Sequence, residues 1–254
     1  MNLETLCDRL DEALRIDAYA DFDGNANGLQ VGRSDHAVER VAFAVDAAEA
    51  TITAAIAADA DLLITHHGLW WGGTERLTGV DYDRVAALVD ADMGLYTAHL
   101  PLDGHQELGN AAGVASMLEL DDREPFAMMQ GEPIGQRGTF PSPTSLDEIV
   151  SLLGTGLEGA DQIMTLDFGP QTNTGVGIVT GSGVDYLEAA AGLDLDVLIT
   201  GEGKQHAYHL ARELGINVVL AGHYATETTG VLALESTLAD WGLETTYCPH
   251  PTGL

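Results

Sequence analysis

The chain alternates short apolar runs with Ala-rich or mixed segments whose apolar residues recur every three or four positions. Asp61–Thr65 is a compact apolar run of the kind that forms a buried strand, and the stretches beginning at Val41, Val176, Asp196, Gly94 and Gly215 also read as strands. Between them, the spacing predicts helices near Asp81–Met93, His206–Leu214 and Tyr224–Leu238. Asn2–Leu14 carries Leu3, Leu6, Leu10 and Leu14 on one stripe and reads as an amphipathic core helix. Ser145-Leu-Asp-Glu148 has the form of a capping box that opens another helix.

The pattern repeats. Val41–Thr65 aligns without gaps on Val176–Thr200, each reading as strand, helix, then a strand D-[LV]-L-I-T. A further helix and strand follow in both copies, this third strand beginning at Gly94 or Gly215. The expected fold class is therefore α/β, with two related α/β lobes arising by internal duplication, each with a mixed sheet flanked by helices. The expected division is an N-terminal lobe, 1–124, and a C-terminal lobe, 125–254, with a metal site between them. Asp121–Ser145, with Pro125, Pro133, Pro141 and Pro143, reads as a connector containing at most an edge strand.

Candidate chemistry lies where apolar runs end. Ile64-Thr-His-His67, His99-Leu-Pro-Leu-Asp103 and Gly222-His-Tyr-Ala-Thr-Glu227 each follow such a run. His66, His67, Asp103, His223 and Glu227 together offer three imidazoles and two carboxylates, a set suited to borderline divalent ions. Five side-chain ligands exceed what one tetrahedral site uses, so a pair of ions is expected. Neighbouring His66 and His67 point in different directions at a strand end, and His223 and Glu227 share a helix face. Singly, each motif is more often structural; their joint placement carries the expectation. Around them, Glu202, Lys204 and His99 are candidate catalytic residues, Glu202 as general base or hydrogen-bond acceptor and Lys204 as an ammonium for a substrate anion. His105, His206, His209 and His250 are weaker candidates for supporting roles.

Composition narrows the setting. Forty Asp and Glu against ten Lys and Arg give a formal charge of −30 in 254 residues, and Lys204 is the sole lysine. Such a surface is expected of a protein adapted to a high-salt cytoplasm, where acidic self-repulsion is screened. No basic cluster exists to release counterions from phosphates, so nucleic acid is not an expected partner. No apolar run approaches the ~18 residues of a membrane span, and the first residues lack a basic leader, so a cytoplasmic, membrane-free protein is expected. Cys7 and Cys248 form no C-x-x-C and give no disulfide framework.

With Asn27-Gly-Leu-Gln-Val-Gly32, ITHH at 64–67, HLPLDGHQELGN at 99–110, ITGEGK at 199–204 and GHYATE at 222–227 in view, the chain resembles the NIF-three-like dinuclear metal-centre family, often labelled GTP cyclohydrolase I type 2. The resemblance implies the same five metal ligands, two divalent ions per subunit (Zn, Fe, Mn, Co or Ni) and a hexameric ring of like subunits. It also implies a hydrolase for a nucleotide-like or phosphorylated small molecule. A metal-delivery or metal-binding regulatory protein, needing the same ligands and no general base, is the alternative. The Asn27–Gly32 segment is not a nucleotide loop, having neither G-x-G-x-x-G after a strand nor G-K-[ST]. Its expected role is structural, with Asn27 or Gln30 reaching towards the site.

Overall fold

The computed structural model describes residues 1–73 and 76–254. The first helix, α1 (Leu3–Leu14), begins one residue later than the periodicity predicts, because Asn2 serves as its cap: its side chain accepts the Thr5 amide at 2.8 Å. Leu3, Leu6, Leu10 and Leu14 are at most 1% exposed, and burying each stabilises the fold by about 2 kcal/mol.

The strands and helices that follow are β1 (Gly28–Val31), β2 (Arg40–Asp46), α2 (Glu49–Ala57), β3 (Leu62–His67), α3 (Val80–Asp90), β4 (Gly94–Thr97), α4 (Leu100–Gly104), α5 (Asn110–Met117), β5 (Asp121–Met129), β6 (Glu132–Thr144), α6 (Leu146–Gly156), β7 (Met164–Leu166), β8 (Asn173–Ile178), α7 (Leu187–Gly192), β9 (Val197–Thr200), α8 (Gln205–Leu214), β10 (Asn217–Leu220), α9 (His223–Asp240) and β11 (Glu244–Tyr247). The protein is α/β, with two mixed sheets flanked by helices. Two compact units contain them: Met1–Leu102 with Val231–His250, and Asp103–Gly230 with Pro251–Leu254.

In the first unit the sheet order is β1-β4-β3-β2-β11, with β1 antiparallel to β4 and the other pairings parallel. Ile52 and Ala55 of α2 and Leu88 of α3 bury against Ala42, Ala44, Leu63 and Leu95 of the sheet. In the second unit the order is β5-β6-β8-β9-β10-β7, parallel only through β8-β9-β10. There α5 and α6 pack Val114, Ile149 and Leu153 on Val176, Ile178, Val197, Ile199 and Val219.

The repeat seen in the sequence extends to the pairing register. Val41 faces Leu62 and Leu62 faces Gly94 in one copy; Val176 faces Val197 and Val197 faces Asn217 in the other. Each copy also adds an antiparallel edge strand, β1 or β7, beside its third strand. The first pairing keeps the offset of 135 and the second falls at 123, so the strand-helix-strand unit is repeated in register while the segment leading to the third strand is shorter in the second copy.

The proline-rich segment departs from expectation. Asp121–Thr144 is no connector but a hairpin, and β6 lies inside the sheet between β5 and β8. Its two-residue turn, Gln130-Gly131, has φ of 51° and 98°, the positive pair that a type I′ turn requires. The prolines are tolerated by position. Pro125 lies on the edge strand, while Pro141 and Pro143 fall in the irregular stretch between the Thr139 and Thr144 pairings with β8. Elsewhere the capping box at Ser145 is present, and α9 starts and ends slightly beyond the predicted Tyr224–Leu238. Cys7 and Cys248 are buried free thiols; burial and the nearby Asp11 and Asp8 push Cys7 up to about 12. Among the described residues, no helix is long and apolar enough to cross a membrane.

Candidate metal centre

In the first unit, strand β3 runs on through His66 and His67, so both are strand residues, yet their rings lie beside each other, centroids 4.6 Å apart, rather than on opposite faces of the sheet. His66 is fully buried. Its Nδ1 lies 3.0 Å from the Ala98 carbonyl, an atom that only accepts, so Nδ1 carries the proton and Nε2 the lone pair of the neutral ring. His67 Nδ1 is 2.9 Å from Asp46 Oδ1, and His99 Nδ1 is 2.8 Å from Asp23 Oδ1. Ionised carboxylates also only accept, so Nδ1 carries a proton in these two rings as well. The three ring centroids stand 4.6–5.6 Å apart, and each imidazole offers a nitrogen within 4.8 Å of the others. A ligating histidine with its second nitrogen tied to a carboxylate or carbonyl is the usual arrangement at metal sites. The donor set therefore fits a borderline divalent ion.

Asp23 organises this region. Its side chain is fully buried and accepts from His99, from the Asn27 amide at 2.7 Å, and from the backbone N–H groups of Asn25 and Leu100. Burial alone would raise its pKa, but the hydrogen bond and charge of His99, with the other donors, hold it below the ordinary carboxylate value. Asn27 Oδ1 takes the His99 amide at 2.7 Å, so this residue positions His99 from both sides. Gln30 instead ties loops together, donating to Asn25 Oδ1 and accepting the Leu69 amide.

The second unit holds Asp103, His223 and Glu227. Asp103 is buried in the short α4, and one oxygen, Oδ1, accepts from both Asn110 Nδ2 and Thr180 Oγ1 at 2.9 Å. Asn110 is itself fully buried and uses its Oδ1 on the Gly230 amide. One turn into α9, Glu227 Oε1 lies 3.1 Å from His223 Nε2, while Glu202 Oε1 lies 3.5 Å from His223 Nδ1. Burial lowers the His223 pKa, but the Glu227 hydrogen bond and the charges of Glu227 and Glu202 prevail, pushing it up to about 9.

Gly181 makes room for the pair. Its φ is +60°, and a Cβ there would sit 2.3 Å from Glu227 Oε1 and 3.1 Å from His223 Nε2. Its carbonyl accepts the amides of Gly201 and Glu202, both at 2.9 Å. At the repeat's offset, Gly181 and Glu202 correspond to Asp46 and His67. The same two strand ends thus carry an imidazole with its carboxylate in one copy, and a carboxylate with a glycine gap in the other.

The remaining expected residues have other partners. Lys204 precedes α8 and is ion-paired with Asp185, which also lies 3.3 Å from His206 Nε2. The lysine and histidine hold Asp185 below the ordinary carboxylate range. His105 Nδ1 accepts the backbone amides of Glu107 and Leu108, a local turn, and His209 packs on Tyr208. Asp46, Asp23, Asn110, Thr180 and Gly181 escaped sequence reasoning. Asp46 had one usable signal: it ends its strand as His67 ends the next.

A sequence profile of the Duf34/NIF3 (NGG1p interacting factor 3) family matches residues 1–251. The chain belongs to the Duf34/NIF3 family. A GTP cyclohydrolase 1 type 2 homolog from Halobacterium salinarum is 53% identical over 255 residues, spanning all of both chains. One of the same name from Pyrococcus abyssi is 42% identical, again over the full length of both. Among solved structures, TTHA1606 from Thermus thermophilus superposes with a TM-score of 0.90 at 38% identity, covering 100% of each chain. The Duf34/NIF3 fold is thus the fold of this chain throughout.

Proposed function

We propose that this Duf34/NIF3 protein is a dinuclear metal-binding hydrolase acting on a nucleotide-like or phosphorylated small molecule, with His66, His67, Asp103, His223 and Glu227 as ligands to two divalent ions. One observation carries the reading: in the imidazole set His66, His67 and His99, every Nδ1 is committed to an oxygen acceptor, so Nε2 is the nitrogen that each ring, when neutral, can offer to an ion. The buried carboxylates Asp103 and Glu227 add the negative charge that such ions need. When bound, such ions supply Lewis acidity that polarises a substrate oxygen and acidifies water. Glu202 then orients His223, and His99 holds or moves a proton beside the ligands. The name shared by the relatives supports the hydrolase reading over metal delivery, which needs the same ligands alone.

The protein is further proposed to work as a homo-oligomeric ring, a hexamer, in a high-salt cytoplasm, where a charge of −30 is screened. Elemental analysis of protein purified in about 3 M KCl tests the metal reading, with about two ions per chain expected. A metal-free preparation after loading with Mn, Fe, Zn, Co or Ni overturns it. Turnover across a panel of nucleotides and phosphoesters, abolished by His67→Ala with the fold retained, supports catalysis. Release of ions to a partner without turnover supports delivery instead.

A further inference from the structure

Trp71 is 52% exposed, yet its backbone is fastened on both sides. It forms a bridge with Asn25, the Ala26 amide donates to the Trp70 carbonyl, and the Gly72 amide donates to the Gly24 carbonyl at 2.7 Å. Its ring stands edge-on to His99, centroids 4.9 Å apart, and 5.9 Å from His67. A large apolar ring held in place, half in solvent and against two imidazoles of the candidate centre, forfeits burial that the core would give it. Beyond Trp71, Gly72 and Gly73 have positive φ, and among the described residues nothing lies within 4 Å of a Cβ at either.

We infer that Trp71 is a stacking platform for a planar heteroaromatic ring of nucleobase size, placing that ring beside the imidazole set His66, His67 and His99. The inference rests on the metal-site reading for where the reaction occurs and narrows its substrate class: ligands with a flat π-face, not sugar phosphates or simple phosphoesters. Aromatic side chains hold bases in this way with little dependence on base identity, because every base has a π-face. The edge-on His99 and the tilted His67 ring hold the indole orientation before a ligand arrives, so little ordering is needed on binding.

The test compares binding of guanosine and adenosine 5′-monophosphates with ribose 5-phosphate, by calorimetry on the full-length protein in molar KCl. Trp71→Ala is expected to weaken both nucleotides about ten-fold and leave ribose 5-phosphate unchanged, whereas Trp71→Phe stays within about three-fold of the parent. Ion content, measured on the same samples, is expected to be equal in all three proteins. Equal nucleotide affinity in Trp71→Ala, an equal loss for ribose 5-phosphate, or no nucleotide binding by the metal-loaded parent overturns the inference. Loss of ions in Trp71→Ala but not Trp71→Phe assigns the indole to holding His67 and His99, and also overturns it. Failure of the metal reading is seen separately, as a parent protein that retains no ion.

Discussion

His67 and Asp46 are cross-strand partners: the register of β3 on β2 sets them opposite each other and brings Nδ1 to 2.9 Å from Oδ1. Twenty-one residues separate them in the chain, and the carboxylate remains partly open to solvent. A carboxylate behind an imidazole fixes its tautomer and raises its basicity. Asp46→Ala is therefore expected to lower metal affinity by about 10–100-fold, measured by chelator competition. The melting temperature of the metal-free protein should change little, and unchanged affinity would show that the pair is only structural.

Protonated His223 is held by Glu227 and Glu202, its pKa pushed up to about 9. A group whose folded pKa exceeds its unfolded value, about 6.5 for histidine, stabilises the fold fully below that lower value. Its contribution is lost as pH rises through about 9. In metal-free protein, NMR titration should place the His223 midpoint near 9, and Glu227→Gln should bring it down. Metal binding must displace this proton, so affinity should climb with pH up to the same midpoint.

Asn110 joins Asp103 to the Gly230 amide, with all its polar atoms inside the protein. Removing it takes one of two donors from the buried Asp103 Oδ1, which keeps Thr180, and takes the side-chain acceptor from the Gly230 amide, losses of roughly 1–3 kcal/mol each. Asn110→Ala should destabilise by about 3 kcal/mol in denaturant titration. A loss below about 1 kcal/mol would mean that water replaces the amide.

Gly181 sits where a methyl would meet Glu227 and His223. Gly181→Ala should displace the Glu227 carboxylate and weaken metal binding more than it weakens the fold, because left-handed φ alone costs only about 1–2 kcal/mol. Equal ion content in parent and variant, by elemental analysis, would count against Glu227 as a ligand.

Salt should act on the whole surface. Raising KCl from about 0.1 M to about 3 M shortens the screening length from about 10 Å to below 3 Å, and the melting temperature should rise steeply for a chain of charge −30. A melting temperature independent of KCl would mean that the acidic surface is no adaptation to salt.

The central strands and their helices, the internal repeat and the residue types of the candidate ligands could be read from the chain itself, since each is a local signal. An apolar run, a 3.6-residue period or a capping box reports burial of one element and needs no knowledge of its neighbours. The hairpin at Asp121–Thr144 defeated that logic, because whether a proline is tolerated depends on which strand pairs with it and where the ladder is irregular. The partners of the candidate ligands lay equally out of reach. Asp23 serves His99 across 76 residues, Thr180 serves Asp103 across 77, and Asn110 reaches Gly230 across 120. Such pairings exist only once strands have taken their register and helices their packing, and they, rather than the histidines and carboxylates themselves, set tautomer, charge and direction at the candidate centre.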